Sequence, residues 1–147
     1  MKKQRELLDC TLRDGGYVND WEFGHEQIVE IFERLVSSGV DYIEIGFLDE
    51  RRAFDLNRTI MPDTASASKI FAGVDKGSSL VLAMIDYGTC GIAHLQPAEE
   101  SFVDGIRVIF KEHLLYEALD FCRKVQDLGY LVFAQMVSVT TYTDQKL

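Results

Sequence analysis

Apolar residues recur along the chain in two rhythms, and their alternation predicts the architecture. Continuous apolar runs at 7–12, 40–48, 80–85, 105–110 and 131–137 predict five short strands. Between them the spacing becomes helical. Ile28, Val29, Ile31, Phe32, Leu35 and Val36 form one stripe over 25–38, which Gly39 closes. Leu114, Leu115, Ala118, Leu119, Phe121, Cys122 and Val125 form the clearest stripe, over 112–128, with Gly129 as its stop. A weaker helix over 64–71 takes its cap from Pro62-Asp63-Thr64 and ends near Gly73, and a short one within 93–102 starts near Pro97. After the last strand, 140–147 reads as a loop with Thr143 or Asp144 as the cap of a further helix. Strands that are apolar throughout, rather than at every second residue, belong to a parallel sheet covered on both faces and joined by right-handed crossovers. The fold class expected is therefore α/β. No linker or low-complexity stretch divides the chain, so 1–147 is read as one unit.

Several polar residues break the apolar runs, and they are the candidates for chemistry. The first strand runs into Arg13-Asp14 and then Gly15-Gly16, where the backbone can turn sharply or approach a ligand closely. Glu44 stands inside the second strand, where a carboxylate is costly unless paired, and Arg13 of the neighbouring strand is its natural partner. Asp86, Lys111 and Gln135 lie at or near the carboxyl ends of later strands and are candidates to line one cavity. Tyr17, Trp21 and Phe23 are expected to pack against the first helix more than to cover a pocket. His25, His94 and His113 are scattered and are read as caps or surface residues.

Composition narrows the partners. With 147 residues, 47% of them hydrophobic, the chain can bury a sizeable core. Its net charge of −9 argues against nucleic acid, since no basic patch could neutralise phosphates. No apolar run is long enough for a signal sequence or a membrane span. Cys10, Cys90 and Cys122 are odd in number and widely spaced, which suits reduced thiols in a cytoplasmic protein, with Cys10 in the core.

Asp9-Cys10-Thr11-Leu12-Arg13-Asp14-Gly15 resembles the D-x-T-L-R-D/E-G motif of the metal-dependent lyase and aldolase superfamily. That group includes 4-hydroxy-2-oxovalerate aldolase, 3-hydroxy-3-methylglutaryl-CoA lyase, and isopropylmalate and homocitrate synthases. Ile43-Glu44-Ile45-Gly46 is similar to the I-E-x-G of its second strand. The resemblance implies a TIM (β/α)₈ barrel, of which about five strands would be present, so the chain would be the N-terminal portion of an aldolase-type barrel. It also implies roles. Asp14 would bind a divalent metal, Mn²⁺ or Mg²⁺, and Arg13 would stabilise an enolate, with Glu44 supporting both. The substrate would be a 4-hydroxy-2-oxo acid cleaved by retro-aldol chemistry; an acyl-CoA condensing synthase of the same superfamily is the alternative.

Two departures qualify the resemblance. Tyr17 stands where the 4-hydroxy-2-oxovalerate aldolases carry a histidine base, and tyrosine, with an ordinary pKa of about 10, is a poor base near neutral pH. The family's H-x-H metal ligands have no counterpart in the chain. The piece alone is therefore expected to hold no metal tightly and to be inactive. With its barrel open, it is expected to associate with further copies of itself. A Schiff-base lysine at Lys111 is the rival chemistry, and one that the family does not use.

Overall fold

The computed structural model describes residues 5–143. Six strands form one parallel sheet: β1 (Leu8–Asp9), β2 (Tyr42–Leu48), β3 (Ile60–Met61), β4 (Leu80–Asp86), β5 (Gly105–Phe110) and β6 (Leu131–Met136). Their spatial order is β1-β2-β4-β5-β6, with the two-residue β3 paired to the end of β2. Each strand of that path lies beside its predecessor, so the sheet winds one way and curls into a parallel half-barrel. The helices are α1, a single turn at Thr11–Asp14, then α2 (His25–Ser37), α3 (Thr64–Ile70) and α4 (Leu115–Asp127).

The convex face of the sheet carries the core. Ile43, Ile45, Val81, Ala83, Ile85, Ile106 and Val108 meet Ile28 and Phe32 of α2, Ala67 and Ile70 of α3, and Ala118, Cys122 and Val125 of α4. Phe71 stacks on Phe102 with ring centroids 5.0 Å apart, and Phe32 packs against both. Each large side chain removed from water here contributes about 1.5–3 kcal/mol, which is why the amphipathic stripes of α2 and α4 are held to the sheet. On the concave side Phe47, Ile60 and Met84 form a small second cluster with Trp21 and Ile109.

Most of the elements fall where the apolar pattern puts them, and the exceptions have physical causes. The expected strand at 7–12 stops after Asp9. The Asp9 carboxylate accepts from the Thr11 amide (2.9 Å) and hydroxyl (3.0 Å), and this local turn bends the chain into α1. Leu7 and Leu8 are exposed rather than buried. The expected helix within 93–102 is instead two separate 3₁₀ turns, Ile92–His94 and Ala98–Glu100. Pro97 has no amide hydrogen and keeps Gln96 out of helical geometry. The neighbouring amides bond elsewhere, Gln96 to the Thr64 hydroxyl and Ala98 to the Leu128 carbonyl. The helix expected from 112 begins with a 3₁₀ turn, Glu112–Leu114, before α4. The cap of α3 is as read: Asp63 accepts from the Ser66 amide and hydroxyl, both at 2.7 Å. After β6 comes a 3₁₀ turn at Val139–Thr141, and Asp144 lies outside the described residues.

Candidate active site

The concave face gathers one continuous chain of polar side chains. Glu44, the third residue of β2, is wholly buried there. Its Oε1 accepts from Arg13 Nε (2.5 Å) and Arg107 Nη2 (2.7 Å), and its Oε2 accepts from Arg107 Nε (2.6 Å). Arg13 reaches onward to Asp14, with Nη1 2.7 Å from Oδ1. On the other side Arg107 Nη1 donates to Gln135 Oε1 at 2.7 Å. The sequence Asp14–Arg13–Glu44–Arg107–Gln135 thus crosses from the turn after β1 to β6. Three charge-assisted hydrogen bonds on one carboxylate are what let Glu44 remain in a water-free position.

Local structure sets this arrangement. The turn that ends β1 makes α1 and carries Arg13 and Asp14 over the mouth of the sheet; Thr59 anchors it by donating its hydroxyl to the Leu12 carbonyl at 2.7 Å. Gly46 makes that anchor possible. A Cβ at this position would lie 1.9 Å from the Thr59 carbonyl oxygen, so only glycine lets the chain before β3 close against β2. Gly16 plays the same part beneath Trp21, whose indole edge would overlap a Cβ. Trp21 and its neighbour Asp20 have φ of +58° and +53°, a region costly for residues with side chains. The strain is offset by the Trp21 amide on the Gly16 carbonyl, Trp21 Nε1 on the Arg13 carbonyl (2.8 Å), and Arg58 on the Asp20 carbonyl and carboxylate.

Electrostatics follow from the same contacts. Burial works against charge on Arg13, but the hydrogen bond and charge of Glu44, aided by Cys10 and Asp14, raise its pKa above the ordinary arginine value. Arg107 is raised chiefly by its hydrogen bonds to Glu44. Burial, then the nearby Glu44 charge, pushes up the Cys10 thiol, which disfavours the nucleophilic thiolate. Cys90 is pushed up to about 12, first by burial and then by Glu50, Asp63 and Asp49. All three cysteines are free.

The sequence candidates are thus distributed unevenly. Arg13, Asp14, Glu44 and Gln135 come together. Tyr17 is exposed, its ring edge-on to Trp21 with centroids 4.9 Å apart. Trp21 belongs to the concave cluster and not to the packing of α2, a correction to the expected placement; Phe23 does join the main core. Cys10 is half-buried beside Arg13 rather than in the core. Asp86 is exposed at the end of β4, and Lys111 is exposed just past β5 and lacks the desolvated pocket a Schiff-base lysine needs. His25 Nε2 lies 2.8 Å from the Ile70 carbonyl, and His94 Nε2 lies 3.3 Å from Glu50. Arg107 is not among the sequence candidates. It carries the same signal as Glu44, a charge in the middle of an apolar strand.

A metal would find one ligand here. Asp14 is exposed and shares one oxygen with Arg13. Among the described residues no three His, Cys, Asp or Glu side chains gather as a metal-binding group. These residues do not by themselves fit a metal centre.

No family model matches the chain. It is 31% identical over 85 residues to a 4-hydroxy-2-oxovalerate aldolase of Moorella thermoacetica, a stretch covering 56% of this chain and 25% of that enzyme. The sequence likeness is to an aldolase. In fold, 97% of the chain superposes on 48% of the crystal structure of the N-terminal domain of a proposed aldolase from Bacteroides vulgatus, with a TM-score of 0.60 and 18% identity. At that identity the match establishes the fold, a partial parallel barrel, and the chain spans about half of that domain and a quarter of the curated enzyme. Among the described residues no helix is long and apolar enough to cross a membrane.

Proposed function

We propose that this chain is the N-terminal portion of a divalent-metal-dependent aldolase that cleaves a 4-hydroxy-2-oxo acid. The observation that carries the reading is Arg13, placed at the mouth of the half-barrel by the turn after β1, held there by buried Glu44, with the Asp14 carboxylate beside it. The aldolase likeness in sequence supports it.

In the retro-aldol step a base removes the proton of the 4-hydroxyl, the bond between C3 and C4 breaks, and the aldehyde leaves. The electron pair remains on the 2-oxo fragment as an enolate. Arg13 is a fixed cation, and its orientation is set before charge develops, so it favours the enolate over the neutral ketone. The enolate carbon then takes a proton, and Tyr17 is assigned that donation, since a phenol gives a proton near neutral pH more readily than it abstracts one. The metal would polarise the 2-oxo group, with Asp14 as one ligand; the remaining ligands and the base would come from segments beyond this chain. The 147-residue chain alone is therefore proposed to be inactive and to bind metal weakly.

The test is pyruvate release from 4-hydroxy-2-oxovalerate by the complete protein with Mn²⁺ or Mg²⁺. Arg13→Ala is expected to lower kcat by about 10²–10³-fold, as loss of one charge-stabilising donor does. Consumption of acetyl-CoA with a 2-oxo acid, and no pyruvate release, would assign the protein to the condensing synthases instead.

A further inference from the structure

The concave face holds a cation that the proposed chemistry leaves without a task. Arg107 is the third residue of β5, and only 12% of its side chain is exposed. It grips Glu44 with two nitrogens, Nε on Oε2 and Nη2 on Oε1, while Nη1 donates to Gln135 and Nη2 also lies 3.3 Å from Met84 Sδ. Arg13 holds the same carboxylate through Nε alone. A carboxylate held by one hydrogen bond can pivot about it, whereas a fork fixes the plane of the group. Two guanidiniums on one carboxylate also repel each other, so the arrangement persists only while both stay registered on Glu44.

We infer that Arg107 is a positioning residue: by fixing the plane of the Glu44 carboxylate it sets the orientation of Arg13, and Gln135 holds Arg107 in turn. This rests on the reading of Arg13 as the group that meets the enolate. The orientation itself, however, can be followed without catalysis. Lysine at position 107 would keep the charge and lose the fork, so it separates positioning from mere charge balance. Gln135 is exposed, so Gln135→Leu tests the far end of the chain with little risk to folding.

The experiment measures two quantities in the complete protein and in its Arg107→Lys and Gln135→Leu variants. The first is hydrogen exchange of the Arg13 Nε–H, followed by nitrogen-15 NMR and assigned by its loss in Arg13→Lys. The second is kcat and KM for pyruvate release from 4-hydroxy-2-oxovalerate. Arg107→Lys is expected to speed Arg13 Nε–H exchange about tenfold and to lower kcat about a hundredfold, with KM within about threefold, because misplacing a catalytic group costs rate more than binding. Gln135→Leu is expected to move both in the same direction by a smaller factor, and it decides the matter if Arg107→Lys fails to fold. Faster exchange supports positioning even where neither the wild type nor any variant releases pyruvate, an outcome that removes the aldolase reading alone. Unchanged exchange at Arg13 in the folded variants overturns the inference.

Discussion

The two faces of the sheet are made by alternate residues of the same strands, yet they solve different problems. On the convex side Ile43, Val81, Ala83, Ile106 and Val108 are wholly buried under α2, α3 and α4. On the concave side their sequence neighbours include Glu44, Met84, Arg107 and Gln135, together with apolar residues that remain partly in water, such as Leu131 and Phe133 (47% and 38% exposed). One face is a finished core. The other is a polar chain set among uncovered apolar side chains. Structural stability and candidate chemistry are thereby separated by a single residue of register, which β-strand periodicity provides without any added element.

Substitutions on the two faces should therefore differ in kind. Phe32→Ala, on the convex side, removes a fully buried ring and is expected to cost about 4 kcal/mol in chemical denaturation. A cost below about 1 kcal/mol would mean that this core is not the main source of stability. Glu44→Gln, on the concave side, leaves Arg13 and Arg107 without their shared counter-charge; the expected loss is about 3 kcal/mol, toward the low end for breaking a buried pair. Stability retained in Glu44→Gln would show that the two arginines find water instead, and that the face is wetter than its geometry implies.

Phe133→Ser tests the partly exposed apolar surface; it also removes the edge-on contact with Tyr42, whose ring centroid lies 5.7 Å away, so its cost to folding stability should be about 1 kcal/mol. The 147-residue chain is expected to sediment as dimers or larger species at micromolar concentration, because β1 and β6 are open edges and the concave face is partly apolar; Phe133→Ser should weaken that association. A folded monomer at that concentration would contradict it. The smallest effect is at Asp49, just past β2, whose carboxyl is held below the usual range first by the Arg51 side chain and then by its amide. The folded chain thus takes up this proton less readily than the unfolded one. The contribution is complete above the ordinary carboxylate pKa of about 4 and fades as pH falls through the folded value, so Asp49→Asn should flatten the acid limb of stability against pH.

The sequence made the convex face easy to read and the concave face hard. Helical stripes such as Ile28–Phe32–Leu35 and the unbroken apolar strands report burial directly, and α2, α3, α4, β2, β4, β5 and β6 follow from them. The same unbroken apolarity suggests that both faces are covered, because Leu131 and Phe133, which stay partly in water, are as hydrophobic as the residues beside them. Only the polar interruptions mark the concave side. Glu44 and Gln135 carry that mark, and Arg107 carries it equally, although an arginine flanked by Ile106 and Val108 reads as part of the strand. Where local hydrogen bonding competes with the strand, periodicity fails, as at Asp9 and Thr11. Long-range contacts such as that of Thr59 with Leu12 leave no local pattern at all, although Gly46 inside an apolar strand hints at one.

Whether Arg13 meets an enolate can be tested without knowing the aldehyde. An aldolase that stabilises the enolate of pyruvate should exchange its C3 protons for deuterium in heavy water, an event proton NMR follows directly. The complete protein with Mn²⁺ is expected to catalyse this exchange, and Arg13→Ala to slow it about a hundredfold. Exchange no faster than in buffer, or equally fast in Arg13→Ala, would contradict it.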